Sequence, residues 1–154
     1  MEYYLSLGSN LGEREQTIQR ALQLIEQQIG SILRCSSYYY SEPWGFQSEH
    51  PFCNLCCAVE STFSPLEVLH LTQDIERALG RKHKSTVNPS PLTDNNSPVR
   101  HYTDRCIDID IIRAFDEQGK EIIINCQLSA DNYLTLPHPL WEQRDFVRIP
   151  MSEL

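Results

Sequence analysis

The sequence lacks any hydrophobic run long enough to cross a membrane, because a helical span needs about 20 consecutive apolar residues. The first ten residues, MEYYLSLGSN, contain neither lysine nor arginine and no long apolar stretch, so we expect no signal peptide. The six cysteines are therefore expected to be reduced thiols of a cytoplasmic protein. The spacing Cys53-x-x-Cys56 has no second pair at a zinc-finger separation, which favours small packing residues over structural zinc.

Positive charge is also scarce. The chain has 13 lysine and arginine residues against 21 aspartate and glutamate residues, which gives a net charge of −8. Binding nucleic acid without regard to its sequence requires a basic face that neutralises phosphates, so we expect no nucleic-acid partner. The motif G-x-x-x-x-G-K-[ST] is absent, which excludes a P-loop enzyme. The 154 residues, 40% of them hydrophobic, are enough for one domain with a real core, and we expect residues 1–154 to form it.

Apolar periodicity predicts two helices. The first begins at Gly12, carries an apolar stripe from Ile18 to Ile29 at helical spacing, and ends at Gly30. The second begins at Ser64 with a capping box and ends at Gly80.

Short runs rich in β-branched, aromatic and alternating residues predict the strands. They lie at residues 3–7, 31–41, 52–61, 106–114 and 121–125, with a hairpin turn at residues 117–120. Two further segments, residues 134–139 and 146–150, are expected to be extended. The order β-α-β-β-α-β with an added C-terminal hairpin predicts an α+β protein with a ferredoxin-like core, in which two helices cover one face of a mostly antiparallel sheet.

The sharpest local feature is Asp108-Ile109-Asp110. Alternate residues of a strand share a face, so the two carboxylates project together while the isoleucines face the core. Magnesium prefers hard oxygen ligands and usually combines one or two carboxylates with phosphate and water oxygens. The pair predicts a magnesium site or, taken alone, a solvated polar strand face, which is the commoner case.

A second group of residues is suited to a flat heterocycle. Phe52 and Asn54 share one face of a predicted strand, where a ring offers stacking and an amide offers a donor and an acceptor. Phe146 can supply a second ring, although a lone phenylalanine is more often a core residue. The segment Gly8-Ser9-Asn10-Leu11-Gly12 opens a helix, and it is either an anion site or simply a tight turn.

Together these motifs resemble the hydroxymethyl-dihydropterin pyrophosphokinase family of folate biosynthesis. The resemblance covers nearly the whole chain and rests on colinear order rather than on one motif. The matching segments are LSLGSNLGERE at residues 5–15, Ser41-x-Pro43-x-Gly45, Phe52-x-Asn54, Gln73-x-x-Glu76-x-x-Leu79-Gly80-Arg81, Arg105-x-Ile107-Asp108-Ile109-Asp110, Leu136-Pro137-His138-Pro139 and Arg144-x-Phe146-Val147.

The resemblance implies transfer of pyrophosphate from ATP to the hydroxymethyl group of 6-hydroxymethyl-7,8-dihydropterin, with release of AMP, in tetrahydrofolate biosynthesis. Asp108 and Asp110 would bind two magnesium ions that bridge the ATP phosphates, and Phe52 and Phe146 would sandwich the pterin. The implied pterin-binding residues are Ser41, Pro43, Trp44, Phe52, Asn54 and Phe146. The implied ATP-binding residues are Gln73, Glu76, His83, Ile111 and Pro139, and the implied catalytic residues are Arg81, Arg105, His138 and Arg144.

The chain departs from the family pattern before the Asp-x-Asp strand. The family often has a Gly-Pro pair there, whereas Thr103 and Asp104 precede Arg105. The preceding loop, residues 82–102, is long and lacks periodicity, and we expect it to be a mobile lid that orders over the nucleotide.

Two alternatives remain. An inactive ferredoxin-like RNA-binding module is disfavoured by the net charge. Another metal-dependent phosphotransferase or nuclease would not explain the group formed by Phe52, Asn54 and Phe146. We expect a cytoplasmic monomer that binds only small molecules, with no nucleic-acid or membrane partner.

Overall fold

The computed structural model describes residues 1–10, 12–41, 51–81, 107–129 and 132–154, with the side chain of Arg81 excepted. Its elements follow the predicted order β-α-β-β-α-β, except that the second predicted strand is split in two. They are β1 (Glu2–Ser9), α1 (Arg14–Gln28), β2 (Ser31–Cys35), β3 (Tyr39–Ser41), β4 (Phe52–Glu60), α2 (Pro65–Glu76), a π-helical turn (Arg77–Arg81), β5 (Asp108–Phe115), β6 (Ile124–Gln127), β7 (Tyr133–Leu136), a 3-10 turn (Trp141–Gln143) and α3 (Asp145–Met151).

The main sheet is antiparallel, with strand order β2-β4-β1-β5, and β3 also pairs with β4. Both long helices cover one face of this sheet, where their apolar stripes meet the inward side chains of the central strands. The main core includes Leu5 and Leu7 from β1, Ile18 and Ile25 from α1, and Ile75 from α2. The ferredoxin-like α+β prediction is therefore confirmed.

The described residues cover the opposite face of the sheet only in part. Here α3 packs Val147 on Cys56 of β4 and Ile112 of β5, with Trp141 and Phe146 beside them. We call the part of this face around Asn54, Gly8 and Asp108, which α3 does not cover, the open face. No helix of the described residues is long and apolar enough to cross a membrane.

The predicted start of the second helix is confirmed in atomic detail. The Glu67 amide donates to Ser64 Oγ at 3.3 Å, and the Ser64 amide donates to Glu67 Oε1 at 2.9 Å, so the capping box is complete. The α-helix ends at Glu76, and the chain continues as a π-helical turn to Arg81 rather than as α-helix to Gly80.

Two predicted strands have different bounds in the structure. The run at residues 31–41 is split at Ser36, whose hydroxyl accepts a hydrogen bond from the Cys56 amide at 3.0 Å and so takes the place of a backbone partner. Of the strand predicted at residues 121–125, Glu121 forms an isolated bridge with Phe115, and Ile124 and Asn125 begin a strand that runs on to Gln127. The actual strand, Ile124–Gln127, pairs with Tyr133–Leu136 in a separate hairpin.

The prediction that residues 146–150 are extended is wrong, because they lie in α3. Phenylalanine, valine and isoleucine favour a strand locally, but only a helix turns Val147 towards Cys56 while Arg148 and Asp145 stay exposed and paired. Tertiary burial therefore overrides local propensity in this segment.

Candidate functional site

Four residues form a row across the open face of the sheet. Tyr39 of β3 lies opposite Asn54 of β4, Asn54 lies opposite Gly8 of β1, and Gly8 lies opposite Asp108 of β5. Neighbouring strands are about 4.8 Å apart, so two strand spacings, about 10 Å, separate Asn54 from Asp108. The row joins the residues predicted for the heterocycle to those predicted for the metal.

The two aspartates share the open face, as the alternation in the sequence predicts. Asp108 lies opposite Gly8 and Asp110 opposite Ser6, whereas Ile107, Ile109 and Ile111 are buried in the core beneath α1 and α2. Asp108 is half-buried and Asp110 is exposed. The described residues contain no group of three or more His, Cys, Asp and Glu side chains arranged to hold a metal. Two carboxylates suit a magnesium ion that takes its remaining ligands from phosphate and water.

The strand that carries the aspartates is tied to α2 by a buried carboxylate. Glu76, which is only 8% exposed, accepts a hydrogen bond at Oε2 from the Ile109 amide at 2.8 Å. Ile109 lies between the two aspartates, so this bond fixes the backbone of the Asp-x-Asp segment. The family resemblance implied an ATP-binding role for Glu76. Its bond to β5 had no signal in the sequence, because it joins residues 33 positions apart.

Asn54 lies at the other end of the row and is almost fully buried, at 3% exposed. Its Nδ2 donates to the Tyr39 carbonyl at 3.0 Å, to Ser41 Oγ at 2.9 Å and, more weakly, to the Phe52 carbonyl at 3.4 Å. The structure thus brings together Ser41, Phe52 and Asn54, three of the residues predicted for the heterocycle. The contribution of the Tyr39 carbonyl had no signal in the sequence.

Strand β3 is held by contacts on its other side. The Tyr40 hydroxyl donates to Glu15 Oε2 at 2.5 Å, and the Arg14 guanidinium lies 5.4 Å from the centre of the Tyr40 ring. The hydrogen bond from Tyr40 lowers the pKa of the Glu15 carboxyl. Arg14 also donates to the Pro51 carbonyl at 2.6 Å, so α1 anchors both β3 and the start of β4. These contacts fix the strand on which Ser41 lies.

The C-terminal segment brings three predicted residues to the same side of the sheet. The His138 amide donates to the Ile112 carbonyl at 2.8 Å, which attaches this segment to β5 beyond the aspartates. Arg144 directly precedes α3, and its guanidinium lies 5.9 Å from the centre of the Phe146 ring. Burial and then the charge of Arg144 lower the pKa of His138, so its imidazole is neutral at pH 7.

Other predicted residues are placed differently or lie outside the described part. Gln73 Nε2 donates to Asn132 Oδ1 at 3.2 Å, so it contacts the turn between β6 and β7. The Ile111 side chain is buried in the main core, which leaves only its backbone for a ligand, and Pro139 is exposed. Pro43, Trp44, His83, Arg105, the side chain of Arg81 and the predicted lid at residues 82–102 lie outside the described residues.

Comparison with known proteins gives one consistent result. The family model described as 7,8-dihydro-6-hydroxymethylpterin-pyrophosphokinase matches residues 4–154. A relative from Porphyromonas gingivalis, named 2-amino-4-hydroxy-6-hydroxymethyldihydropteridine pyrophosphokinase, is 43% identical over 151 residues, which cover 98% of this chain and 88% of the relative. A Bacillus subtilis protein of the same name is 29% identical, over 98% of this chain and 76% of its own.

A solved structure supports the same fold. The crystal structure titled as HPPK-DHPS in complex with substrates superposes with a TM-score of 0.61 at 16% identity. The match covers 99% of this chain but only 40% of that chain. At this identity the likeness shows the fold alone.

Proposed function

Because the chain belongs to the 7,8-dihydro-6-hydroxymethylpterin-pyrophosphokinase family, we propose that it transfers pyrophosphate from ATP to the hydroxymethyl group of 6-hydroxymethyl-7,8-dihydropterin and releases AMP, in tetrahydrofolate biosynthesis. The observation that carries this proposal is the row across the open face. It places an oriented amide, Asn54, two strands away from the paired carboxylates of Asp108 and Asp110. Donor and acceptor substrates can therefore meet on one surface.

The pterin lies at the Asn54 end of the row in this proposal. Asn54 offers Oδ1 to an N–H of the pterin, and Phe52 and Phe146 offer rings for stacking. Backbone groups near Ser41, Pro43 and Trp44 read the remainder of the edge. The support is that Ser41, Phe52 and Asn54 are adjacent in the structure and that Phe146 lies at the edge of the same face.

ATP and magnesium lie at the aspartate end. Asp108 and Asp110 would hold magnesium, two ions according to the family resemblance, and the magnesium would neutralise negative charge on the ATP phosphates. Arg144 is proposed to contribute positive charge beside the neutral His138, because the two side chains are close enough for Arg144 to lower the pKa of the imidazole. Arg81 and Arg105 are proposed to act at the phosphates, and Gln73, Glu76, His83, Ile111 and Pro139 to line the nucleotide.

The wider setting follows from the same proposal. We place the enzyme in the cytoplasm as a single-domain monomer whose partners are the two small substrates.

A product assay tests the proposal directly. With hydroxymethyl-dihydropterin, ATP and magnesium, we expect AMP to appear in step with pterin consumption; ADP as the product would indicate transfer of a single phosphate instead. Asp108→Asn and Asp110→Asn should each lower the rate by at least about 100-fold, because a two-carboxylate magnesium site loses half of its charge. Asp74→Asn on the exposed side of α2 is the matched control and should retain the full rate. Full activity in either site variant would exclude the metal assignment.

A further inference from the structure

The side-chain amide of Asn54 is fixed in one of its two orientations by the acceptors around it. Nδ2 faces the carbonyl oxygens of Tyr39 and Phe52 and the hydroxyl of Ser41. Carbonyl oxygens can only accept hydrogen bonds, so a rotation of the amide by a half-turn would set Oδ1 against two of them. The amide nitrogen is therefore turned towards β3, and Oδ1 is left for the open face.

The space beside Oδ1 exists because β1 has a glycine there. A Cβ atom built on Gly8 would lie 2.9 Å from Asn54 Oδ1 and 3.9 Å from Phe52 Cδ1. Apart from Gly8 itself and its two chain neighbours, no other described residue has an atom within 4 Å of that position, so the Asp108 side chain is out of its reach although Asp108 is the register partner of Gly8. Glycine weakens a strand interior and often marks a point where another group approaches closely. At Gly8 the approaching group is the Asn54 oxygen.

Ser41 contacts this amide from the other side. Its Oγ accepts the hydrogen bond from Nδ2 at 2.9 Å, the shortest of the three bonds of the amide. Its strand partner is Phe52, and Phe52 is also the second residue that a Gly8 side chain would meet. Ser41 and Gly8 thus act on the same amide, one on its nitrogen and one on its oxygen.

We propose that Ser41 and Gly8 are positioning residues that hold the Asn54 amide with its oxygen presented to the ligand. The ligand edge that fits is one with an N–H donor, as on the pyrimidine ring of a pterin. The identity of the ligand rests on the proposed function. The orientation of the amide does not, because the acceptors around Nδ2 determine it.

The predicted effects on binding follow from this arrangement. Ser41→Ala removes one of three acceptors and should weaken pterin binding by about 5-fold, the equivalent of one hydrogen bond. Ser41→Thr keeps the hydroxyl and should bind pterin within about twofold of the wild type. Gly8→Ala displaces the oxygen itself and should weaken binding by about 10-fold or more. The affinity for ATP with magnesium should not change in any of these variants, because the added Cβ at Gly8 does not reach Asp108.

The decisive experiment measures the pterin dissociation constant by calorimetry for Ser41→Ala and Gly8→Ala, in the wild type and in the Asn54→Ala background. If both residues act through Asn54, neither substitution weakens binding further once Asn54 is absent. An equal loss in the two backgrounds would overturn the inference. Ser37→Ala is the matched control, since it removes a hydroxyl that bonds to Glu153 in the same segment, and it should leave pterin binding unchanged.

A second readout needs neither pterin nor activity. The Asn54 side-chain NH2 signals, identified by their loss in Asn54→Ala, should shift in the NMR spectrum of Ser41→Ala and stay unchanged in Ser37→Ala. If the wild type bound no pterin, the proposed function would be wrong. The NH2 signals would still test whether Ser41 orients the Asn54 amide. Identical Asn54 signals in the wild type and Ser41→Ala would overturn the positioning role.

Discussion

The orientation of Asn54, the placement of Glu76 and the pKa of His138 each depend on the groups around them. The orientation of Asn54 depends on Tyr39 and Ser41, and the carboxylate of Glu76 is placed by the Ile109 amide. The pKa of His138 is lowered by burial and by the charge of Arg144. At the residue scale the site is therefore defined less by which side chains are present than by what holds them.

The lowered pKa of His138 predicts a pH dependence of stability. Between its depressed folded value and its ordinary value near 6.5, the unfolded chain binds more protons at this position than the folded chain. The stability that His138 contributes is thus complete above pH 6.5 and is lost as the pH falls towards its folded pKa. His138→Asn should reduce the loss of unfolding free energy between pH 7 and pH 5, measured with urea.

The pH range in which His138 changes the stability is separate from the range in which the carboxylates do so. Glu15, Glu67, Glu121 and Glu153 all have pKa values lowered by hydrogen bonds, and their contributions are lost only below the ordinary carboxyl range. The His138→Asn variant and the wild type should therefore lose stability in parallel below pH 4. An identical loss for both proteins between pH 7 and pH 5 would show that His138 is not the group that titrates.

At the scale of single elements, β5 depends on α2. The described part of β5 pairs with β1 on one side, and Glu76 bonds the Ile109 amide. Glu76→Ala should lower the unfolding free energy by about 2 kcal/mol, because it leaves a buried N–H unsatisfied. Hydrogen exchange at the Ile109 amide should accelerate in the same variant. Glu76→Gln retains an acceptor and should lower the unfolding free energy by less. An unchanged exchange rate at the Ile109 amide in Glu76→Ala would contradict the dependence of β5 on α2.

The docking of α3 is the second dependence between elements. Val147→Ala should lower the unfolding free energy by about 2 kcal/mol and also weaken pterin binding, because α3 carries Phe146. Val68→Ala is the matched control: Val68 is equally buried but packs α2 in the main core, on the other side of the sheet. Val68→Ala should lower the unfolding free energy by a similar amount and leave the pterin affinity unchanged. Equal losses of affinity in both variants would mean that α3 has no specific role in the site.

The same elements show what the sequence could and could not predict. The Asp-x-Asp alternation and the capping box at Ser64 were predictable because strand period and helix capping are local rules. The helical state of residues 146–150 was not, since burial of Val147 against Cys56 and Ile112 decides it. The bond from the Ile109 amide to Glu76 joins segments 33 residues apart, so it is set by the fold.

At the scale of the whole molecule, the two faces of the main sheet differ in how the described residues cover them. Among the described residues, two helices bury one face and α3 covers part of the other, on which the row from Asn54 to Asp108 lies. The net charge of −8 is unfavourable for binding ATP without a cation. A magnesium ion held by the two aspartates, as proposed, would supply that cation. The proposal therefore requires the two ends of the row to be occupied at the same time and on the same face.

The measurement that tests this most directly uses Mn²⁺, a paramagnetic substitute for Mg²⁺ that broadens nearby NMR signals steeply with distance. An ion at Asp108 and Asp110 would lie about 10 Å, two strand spacings, from Asn54. We predict that Mn²⁺ with ATP broadens the Asn54 side-chain signals in the wild type and leaves them sharp in the Asp108→Ala/Asp110→Ala double variant. Sharp Asn54 signals in the ATP-saturated wild type, or equal broadening in the double variant, would contradict a shared open-face site.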